Sequence, residues 1–123
     1  MASVLVVDDD PDLRFLMEEA LSTLNCQTET ASNGTEGEAK ALQMQPDLIL
    51  LDIMMPMQDG YATCVHLRAK GYKKPILLMS AMPEETGRQK ARDCLATGYV
   101  QKPITRETLQ RFIDDGGHLA KLV

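Results

Sequence analysis

The sequence predicts an α/β protein built around a parallel β-sheet, and two observations carry this prediction. Short apolar runs of strand length alternate with longer segments of helical periodicity, which gives five βα units in 123 residues. The run LILLD is apolar up to its final aspartate, as is typical of a central parallel strand buried on both faces. We therefore expect one domain over residues 1–123, with helices on both faces of the sheet.

The first half of the chain contains three predicted strands and two predicted helices. The strands are Ser3–Val7, Gln27–Ala31 and Asp47–Asp52, of which the second alternates only weakly, as an edge strand does. One helix spans Pro11–Asn25 with Asp10 as its N-cap, and the other spans Thr35–Met44, between the Asn33-Gly34 turn and Pro46. The positions expected to face the core are Leu13, Leu16, Met17, Ala20, Leu21, Leu24, Gly37, Ala41 and Met44.

The second half repeats the alternation. The predicted elements are a helix from Asp59-Gly60 to Lys70, a strand Ile76–Ser80, a helix Glu84–Leu95, a strand Tyr99–Gln101 and a helix Thr105–Asp114 capped by Thr105. The fourth helix is weak, because Gly87 lies inside it and its apolar side is little more than Ala91, Cys94 and Leu95. The fifth directs Leu109, Phe112 and Ile113 inward, Asp115–Gly117 ends it, and the tail His118–Val123 extends it or lies loose.

Composition excludes several classes of protein. A net charge of −5 argues against a dominant DNA- or RNA-binding surface, which would need a basic patch. No apolar run approaches membrane-spanning length and no secretory signal opens the chain, so we expect no membrane insertion and a cytoplasmic location. The cysteines Cys26, Cys64 and Cys94 fit neither a disulfide framework nor a zinc site, and we expect them to be small buried apolar residues.

Charged and polar residues stand where the predicted strands end. Asp8 and Asp9 follow the first strand, Asp52 ends the third, Ser80 ends the fourth and Lys102 follows the fifth. Right-handed crossovers bring the carboxyl ends of parallel strands to one edge, where ligands bind in open α/β sheets. Adjacent carboxylates repel each other, and a hard cation such as Mg²⁺, which prefers oxygen ligands, would relieve that repulsion. Asp52 is then a candidate nucleophile that forms an aspartyl phosphate, with Lys102 and Ser80 contacting phosphoryl oxygens.

The motifs VLVVDDD, PDLILLDIMMPMQDG, LLMSA and GYVQKP, in this order and spacing, closely resemble a receiver domain of bacterial two-component response regulators in its stand-alone, chemotaxis-like form. The resemblance implies a flavodoxin-like fold with strand order 2-1-3-4-5. Its implied site residues are Asp52 as phosphoacceptor, Asp8, Asp9, Asp52 and the Met54 carbonyl as ligands of Mg²⁺ or Mn²⁺, Lys102 as phosphate-binding lysine, Ser80 and Tyr99 as switch residues, and a cis peptide before Pro103.

The mechanism implied by the resemblance is a switch. A sensor histidine kinase, a phosphotransfer protein or a small phosphodonor supplies the phosphoryl group, and the protein catalyses only its own phosphorylation and dephosphorylation. Ser80 then contacts the phosphoryl group and Tyr99 turns inward. The face built from the fourth helix, fifth strand and fifth helix changes and signals to a target protein. We expect no output domain after the receiver, and a monomer or a phosphorylation-dependent dimer.

Several positions are distinctive. Leu95 stands where the family usually has glycine after the fourth helix, so we expect that helix to end differently and to be mobile. Ile104 replaces the usual aromatic residue after the Lys-Pro pair, which changes the expected output face. Met54 and Met82 lie two residues after Asp52 and Ser80, where the family's side chains flank the path of the attacking water. Because methionine side chains cannot orient a water, we expect slow self-dephosphorylation.

Two other functions remain open at this point. A phosphatase of the haloacid-dehalogenase type would use Asp8 as its nucleophile in an Asp-x-Asp pattern, although the chain is short for that class and Asp12 stands where its motif has threonine. A phosphorylation-independent, receiver-like binding module would act through protein contacts alone. The complete set of Asp8, Asp9, Asp52, Ser80 and Lys102 argues against this second alternative.

Overall fold

Ten helices and strands alternate in the computed structural model, which describes residues 2–114. In chain order they are β1 (Ser3–Val7), α1 (Pro11–Thr23), β2 (Gln27–Ala31), α2 (Gly34–Met44), β3 (Leu48–Asp52), α3 (Gly60–Ala69), β4 (Ile76–Ser80), α4 (Glu84–Asp93), β5 (Gly98–Gln101) and α5 (Arg106–Asp114).

The strands form one parallel sheet in the order β2-β1-β3-β4-β5, which confirms the predicted fold. The three central strands are in register: Leu50 of β3 pairs with Val6 of β1 on one side and with Leu77 of β4 on the other. Because every strand runs in the same direction, their carboxyl ends lie along one edge of the sheet. The residues that follow the strands are therefore neighbours, although they are far apart in the chain.

Alternate residues of the central strands face two separate hydrophobic cores. Leu5 and Ile49 contribute to the core covered by α2, α3 and α4, whereas Val6 and Leu50 contribute to the core covered by α1 and α5. These strand side chains are fully buried, and each contributes about 1.5–3 kcal/mol through removal of apolar surface from water. The continuous apolar strands of the sequence are thus explained by burial on both sides.

Side-chain caps fix the starts of four helices. Asp10 Oδ1 accepts a hydrogen bond from the Asp12 amide at 2.9 Å, and Asn33 and Asp59 cap α2 and α3 in the same way at 2.8 Å. The Thr105 hydroxyl accepts from the Thr108 amide at 3.2 Å, which confirms the predicted cap of α5. α4 starts after Pro83 without a side-chain cap, so its first amides lack this source of stabilisation.

Some element ends and two core assignments differ from the predictions. α1 ends at Thr23 rather than Asn25, α3 at Ala69 rather than Lys70 and α4 at Asp93 rather than Leu95, whereas α2 starts at Gly34 and β3 at Leu48. Leu16 was assigned to the core, but it is 62% exposed because it lies at the outer edge of the apolar stripe of α1. Leu95 is likewise 69% exposed, because it follows the helix instead of belonging to it.

Leu95 also contradicts our expectation about how α4 ends. We expected the chain to avoid a left-handed conformation there, yet Leu95 has a φ of 65°. A leucine in this conformation costs about 1–2 kcal/mol relative to glycine. The Leu95 carbonyl accepts a hydrogen bond from Arg68 Nε at 2.9 Å, which helps to hold the residue in place. The mobility of α4 stays a prediction, supported by its missing side-chain cap and by the small size of its buried residues, Gly87 and Ala91.

β5 starts at Gly98 rather than at Tyr99, whereas the expectation for the cysteines is confirmed. All three cysteines are free and buried. Within residues 2–114, no helix combines the length and the apolar character needed to cross a bilayer. The predicted end of the last helix at Asp115–Gly117 and the tail His118–Val123 lie outside the described residues.

We expect Leu95→Gly to raise the free energy of unfolding by about 1 kcal/mol, because glycine adopts positive φ without the steric penalty of a Cβ atom. Equilibrium urea unfolding measures this change. Leu95→Ala is the matched control: it removes most of the exposed side chain but keeps the penalty, so its stability should stay near that of the parent. Equal effects of the two substitutions would show that the left-handed backbone is not strained.

Candidate functional site

The side chains that the sequence predicted at the carboxyl edge of the sheet lie close together in the structure. Asp8 follows β1 and is fully buried, and Asp52 and Ser80, the last residues of β3 and β4, are each 4% exposed. Lys102 follows β5, and its amide donates to the Ser80 carbonyl at 2.8 Å, which extends the pairing of β4 and β5. The Lys102–Pro103 peptide is cis, as the resemblance implied.

Lys102 joins the two buried carboxylates. Its Nζ atom lies 2.9 Å from Asp8 Oδ2 and 3.4 Å from Asp52 Oδ1. Burial disfavours the charged form of Lys102, but the hydrogen bond to Asp8 and the charges of Asp52 and Asp8 outweigh it, so the pKa of Lys102 is raised. The ammonium group therefore stays charged over the physiological range and is aimed at the space between the two carboxylates.

Asp52 is the carboxylate whose ionisation is most disfavoured. Burial and, to a lesser extent, the charge of Asp8 raise the pKa of Asp52 to about 6, although the charge and hydrogen bond of Lys102 act in the opposite direction. Its oxygens accept few hydrogen bonds: the Met54 amide approaches Oδ1 at 3.4 Å, which is long for such a bond. Asp52 is thus ionised at neutral pH but poorly solvated, which are the properties of a reactive oxygen nucleophile.

The residues at this edge fit a hard divalent cation. Asp8, Asp9 and Asp52 each offer a carboxylate oxygen, and these oxygens all lie within 4.8 Å of one another. Asp9 is exposed while the other two are buried, so a cation here would be bound from the solvent side. Three carboxylates against the single ammonium of Lys102 carry a formal excess of negative charge when all are ionised. Oxygen donors with excess negative charge suit Mg²⁺ or Mn²⁺.

Two methionines lie at the rim of the site. Met54 is 67% exposed and borders an open groove of about 330 Å³ lined by Asp9, Ile53, Met54, Met55, Pro56 and Asp59. Met82 is half-buried and packs against the core beneath α4. Neither side chain carries a group that holds a water molecule by a strong hydrogen bond.

Tyr99 lies inward and is tied to the strand end that carries Ser80. Its hydroxyl lies 2.9 Å from the Ser80 carbonyl oxygen and 2.7 Å from the Met82 carbonyl oxygen and can donate its one proton to either, and the residue is 3% exposed. The ring lies against Gly87 of α4 so closely that a Cβ atom at Gly87 would overlap it. The Ser80 hydroxyl accepts from the Met82 amide at 3.2 Å. Ser80, Tyr99 and α4 are therefore one connected unit.

Sequence reasoning missed several residues that shape the site. Gly87 was noted only as a weakness in a helix, and nothing in the local sequence shows that it faces Tyr99. Gly60 was noted only as a helix start, but a Cβ atom there would overlap the Asp52 carbonyl, so only glycine allows α3 to begin so close to β3. Arg14 donates to the Asp8 carbonyl at 2.6 Å. The sequence did contain a signal for this contact, because Arg14 stands one turn into the helix that follows Asp8.

A polar network that was also missed ties α2 to the loop between Asp52 and α3. Glu38 accepts from Lys70 Nζ at 2.6 Å and from Gln58 Nε2 at 3.0 Å, and lies 3.0 Å from His66 Nδ1. Burial opposes ionisation of Glu38, but these hydrogen bonds prevail and lower its pKa to about 2. Gln58 also donates to the Thr63 hydroxyl at 2.9 Å, so the network fastens the loop to the start of α3.

Comparison with protein families gives one match that covers most of the chain. The model described as the response regulator receiver domain matches residues 4–114. Among solved structures, the chemotaxis protein CheY4 of Vibrio cholerae superposes with a TM-score of 0.87 at 32% identity, over 94% of this chain and 98% of that one. A putative response regulator from Chloroflexus aurantiacus superposes with a TM-score of 0.87 at 26% identity, over 97% of this chain and 98% of that one.

Curated relatives are longer proteins. The transcriptional regulatory protein ResD of Bacillus subtilis is 38% identical over 109 residues, which is 88% of this chain and 45% of ResD. The DNA-binding dual master transcriptional regulator RpaA of Synechocystis is 33% identical over 111 residues, which is 89% of this chain and 46% of RpaA. The chain thus spans just under half the length of these relatives.

The raised pKa of Asp52 allows a prediction about the free energy of unfolding. A carboxyl group whose pKa rises from 3.8 to about 6 on folding binds its proton more tightly in the folded state, so its ionisation destabilises the fold. Without divalent cations, we expect Asp52→Asn to raise the free energy of unfolding at pH 7 by about 1–3 kcal/mol. The gain should shrink as the pH falls through 6 and vanish near 4, as measured by urea unfolding across this range. A gain independent of pH would contradict the assignment.

The contact between Gly87 and Tyr99 makes a second prediction. We expect Gly87→Ala to destabilise the protein by about 1–3 kcal/mol and to expose the Tyr99 ring, because the added methyl group overlaps that ring. Unfolding experiments and NMR shifts of the ring protons measure the two effects. In a Tyr99→Ala background the same change should instead stabilise by about 0.5–1 kcal/mol, since alanine is the better helix former. Destabilisation of equal size in both backgrounds would rule out the contact as the cause.

Proposed function

The chain belongs to the response regulator receiver domain family, and from this membership and the geometry of its site we propose that Asp52 accepts a phosphoryl group in a reaction that depends on Mg²⁺. A family member of this kind is a signalling protein and not an enzyme that turns over an external substrate. The donor is the phosphohistidine of a sensor kinase or phosphotransfer protein, or a small molecule such as acetyl phosphate. The proposed location is the cytoplasm.

The observation that carries the proposal is the environment of the Asp52 carboxylate. It is a buried group whose pKa is raised, it faces the Lys102 ammonium at 3.4 Å, and it shares a cluster with Asp8 and Asp9. An ion pair with a purely structural role would need only one carboxylate for the Lys102 ammonium, but three carboxylates cluster at this site. The family match favours this reading over a haloacid-dehalogenase-type phosphatase that would use Asp8 as its nucleophile.

Asp8, Asp9, Asp52 and the Met54 carbonyl are the proposed ligands of Mg²⁺, with Mn²⁺ as a substitute. When bound, the cation neutralises charge on the phosphoryl oxygens and on the surrounding carboxylates. Lys102 keeps Asp8 and Asp52 in place by its two ion pairs before the donor arrives. With the cation bound, its charge and that of Lys102 would suit a group that brings several negative charges.

Transfer begins when a carboxylate oxygen of Asp52 attacks the phosphorus atom of the donor. The bond from phosphorus to the leaving nitrogen or oxygen breaks as the new bond to Asp52 forms, and the leaving group keeps the electron pair. A leaving nitrogen carries or takes up a proton, whereas acetate departs as the anion. Lys102 stabilises one phosphoryl oxygen by charge, and the Ser80 hydroxyl donates a hydrogen bond to another. Hydrolysis of the aspartyl phosphate by water resets the protein.

The proposed switch connects Ser80 to the surface through Tyr99. Rotation of the Ser80 hydroxyl toward the phosphoryl group changes the strand end that the Tyr99 hydroxyl contacts. Tyr99 lies at the edge of a groove of about 230 Å³ in the face formed by α4, β5 and α5; the groove is lined by Glu84, Tyr99, Val100, Gln101, Thr108, Arg111 and Phe112. We propose this face as the site for a target protein, with Ile104 nearby in place of an aromatic residue.

A phosphorylation-independent binding module is the second candidate function. It is favoured by one observation, the inward Tyr99 ring packed against Gly87, because this contact gives the α4-β5-α5 face a defined form through packing alone.

RpaA and ResD are named as transcriptional regulators, and the matched region is under half of each. In either function the described region is the part that receives the signal. Monomer and phosphorylation-dependent dimer are both compatible with this role.

The direct test is intact mass after incubation with Mg²⁺ and acetyl phosphate or phosphoramidate. We expect one added phosphoryl group on the parent and none on Asp52→Asn, which keeps the shape of the side chain but lacks the nucleophile. Chelation of Mg²⁺ should abolish the adduct, and Lys102→Met should slow its formation. An adduct that persists on Asp52→Asn would move the nucleophile to Asp8, whereas no adduct with either donor would favour the phosphorylation-independent module.

Met54 and Met82 give a prediction about the lifetime of the phosphoryl group. Because neither side chain can orient the attacking water, we expect polar substitutions at both positions, Met54→Asn and Met82→Glu, to speed loss of the phosphoryl group about tenfold or more. Decay of the intact-mass adduct after removal of the donor gives the rate. Met57→Asn is the control, since Met57 is an exposed methionine of the same loop. An unchanged rate in the double variant would contradict this role.

A further inference from the structure

Two of the three cysteines, neither of which takes part in the proposed phosphoryl transfer, lie side by side. Cys64 is in the middle of α3, and Cys94 follows α4 directly. The Cys64 thiol donates to the Cys94 carbonyl at 3.3 Å, and the Cys94 thiol donates to the Ala91 carbonyl at 3.6 Å. Cys26, the third cysteine, belongs to the core on the other face of the sheet.

The pair is electronically unequal. The interaction between the two neighbouring thiol groups lowers the pKa of Cys94 and raises the pKa of Cys64. The Arg68 guanidinium, one turn beyond Cys64, favours the thiolate form of both. Thiolates next to arginine react with oxidants faster than ordinary buried thiols. Cys94 is thus suited to react first, and Cys64 is placed to react second.

Cys94 is also the member of the pair that lines a groove at the surface. The groove has a volume of about 280 Å³ and is bordered by Val65, Arg68, Ala69, Asp93, Cys94 and Leu95. It separates the C-terminal ends of α3 and α4. Both cysteines are buried, Cys94 at 2% and Cys64 at 0% exposed, so oxidation requires an opening between the ends of α3 and α4. Cys94 borders the groove and is the thiol that such an opening uncovers first.

We propose that Cys64 and Cys94 form a reversible disulfide when the protein meets a two-electron thiol oxidant such as hydrogen peroxide. The Cys94 thiolate attacks one peroxide oxygen, the O–O bond breaks, and hydroxide leaves, which gives a sulfenic acid at Cys94. The sulfur of Cys64 then attacks the Cys94 sulfur, the S–O bond breaks, and the departing hydroxide takes the Cys64 proton to form water. The two thiols are oxidised by two electrons in total and the peroxide is reduced to water; a thiol reductant reverses the bond.

The disulfide would join α3 to the end of α4. α4 carries Gly87, against which the Tyr99 ring lies, so a covalent tie at Cys94 restricts the helix that borders the proposed output face. Oxidation would thus limit movement of α4 without touching Asp52 or Lys102. Phosphoryl transfer to Asp52 and disulfide formation are separate events, and either can be tested without the other.

The first test is oxidation of the folded protein with hydrogen peroxide, followed by alkylation, digestion without reductant and mass spectrometry. We expect a loss of about 2 Da, the mass of two hydrogen atoms, and a linked peptide pair that contains Cys64 and Cys94. Cys26→Ser is the matched control and should behave like the parent. In Cys64→Ala, we expect a sulfenic acid at Cys94 that dimedone traps. Recovery of both thiols unmodified, or a bond that involves Cys26, would overturn the proposal.

A second measurement does not depend on any variant folding. Amide hydrogen exchange of the oxidised and reduced parent protein should differ most in α4, with slower exchange in the oxidised form. Addition of dithiothreitol should restore the faster exchange. Identical exchange in α4 before and after oxidation would show that the bond does not restrain this helix.

Discussion

The ammonium group of Lys102 lies between two buried carboxylates, and the rest of the site depends on this interaction. Asp8 and Asp52 are both nearly inaccessible to water, and without a cation their charges would repel each other in a poorly solvated space. Lys102 offsets only part of the combined effect of burial and this repulsion, so the pKa of Asp52 remains raised. The fold therefore maintains an excess of negative charge at one edge of the sheet, which a divalent cation can neutralise.

Parallel strands make this arrangement possible because they end together. Asp8, Asp52 and Lys102 come from β1, β3 and β5, whose registers are fixed by apolar residues buried on both faces of the sheet. Close packing behind the site then restricts its geometry: Gly60 permits α3 to approach the backbone of Asp52, and Gly87 permits α4 to approach Tyr99. The reactive edge and the surface that responds to it are thus linked by packing through β4 and β5.

Much of this arrangement was predictable from the sequence because its signals are local. The apolar runs, the caps Asp10 and Thr105, and the polar residues at strand ends predict the fold and the members of the site. Other features depend on distances between elements, which the sequence does not show. Leu16 belongs to the helical stripe but lies beyond the reach of the core, and Leu95 adopts a left-handed conformation despite its side chain. The contacts of Gly87 with Tyr99 and of Cys64 with Cys94 likewise join residues that no sequence pattern pairs.

The most direct test of this account is the ionisation of Asp52 itself. Carbon-13 NMR of the side-chain carboxyl groups, titrated without divalent cations and assigned with Asp52→Asn, reports the pKa of this one residue. We expect a value near 6, and a shift to lower pH when Mg²⁺ is added, because the cation favours the carboxylate. A pKa near 4 that does not respond to Mg²⁺ would contradict the view that the fold strains this carboxylate for phosphoryl transfer.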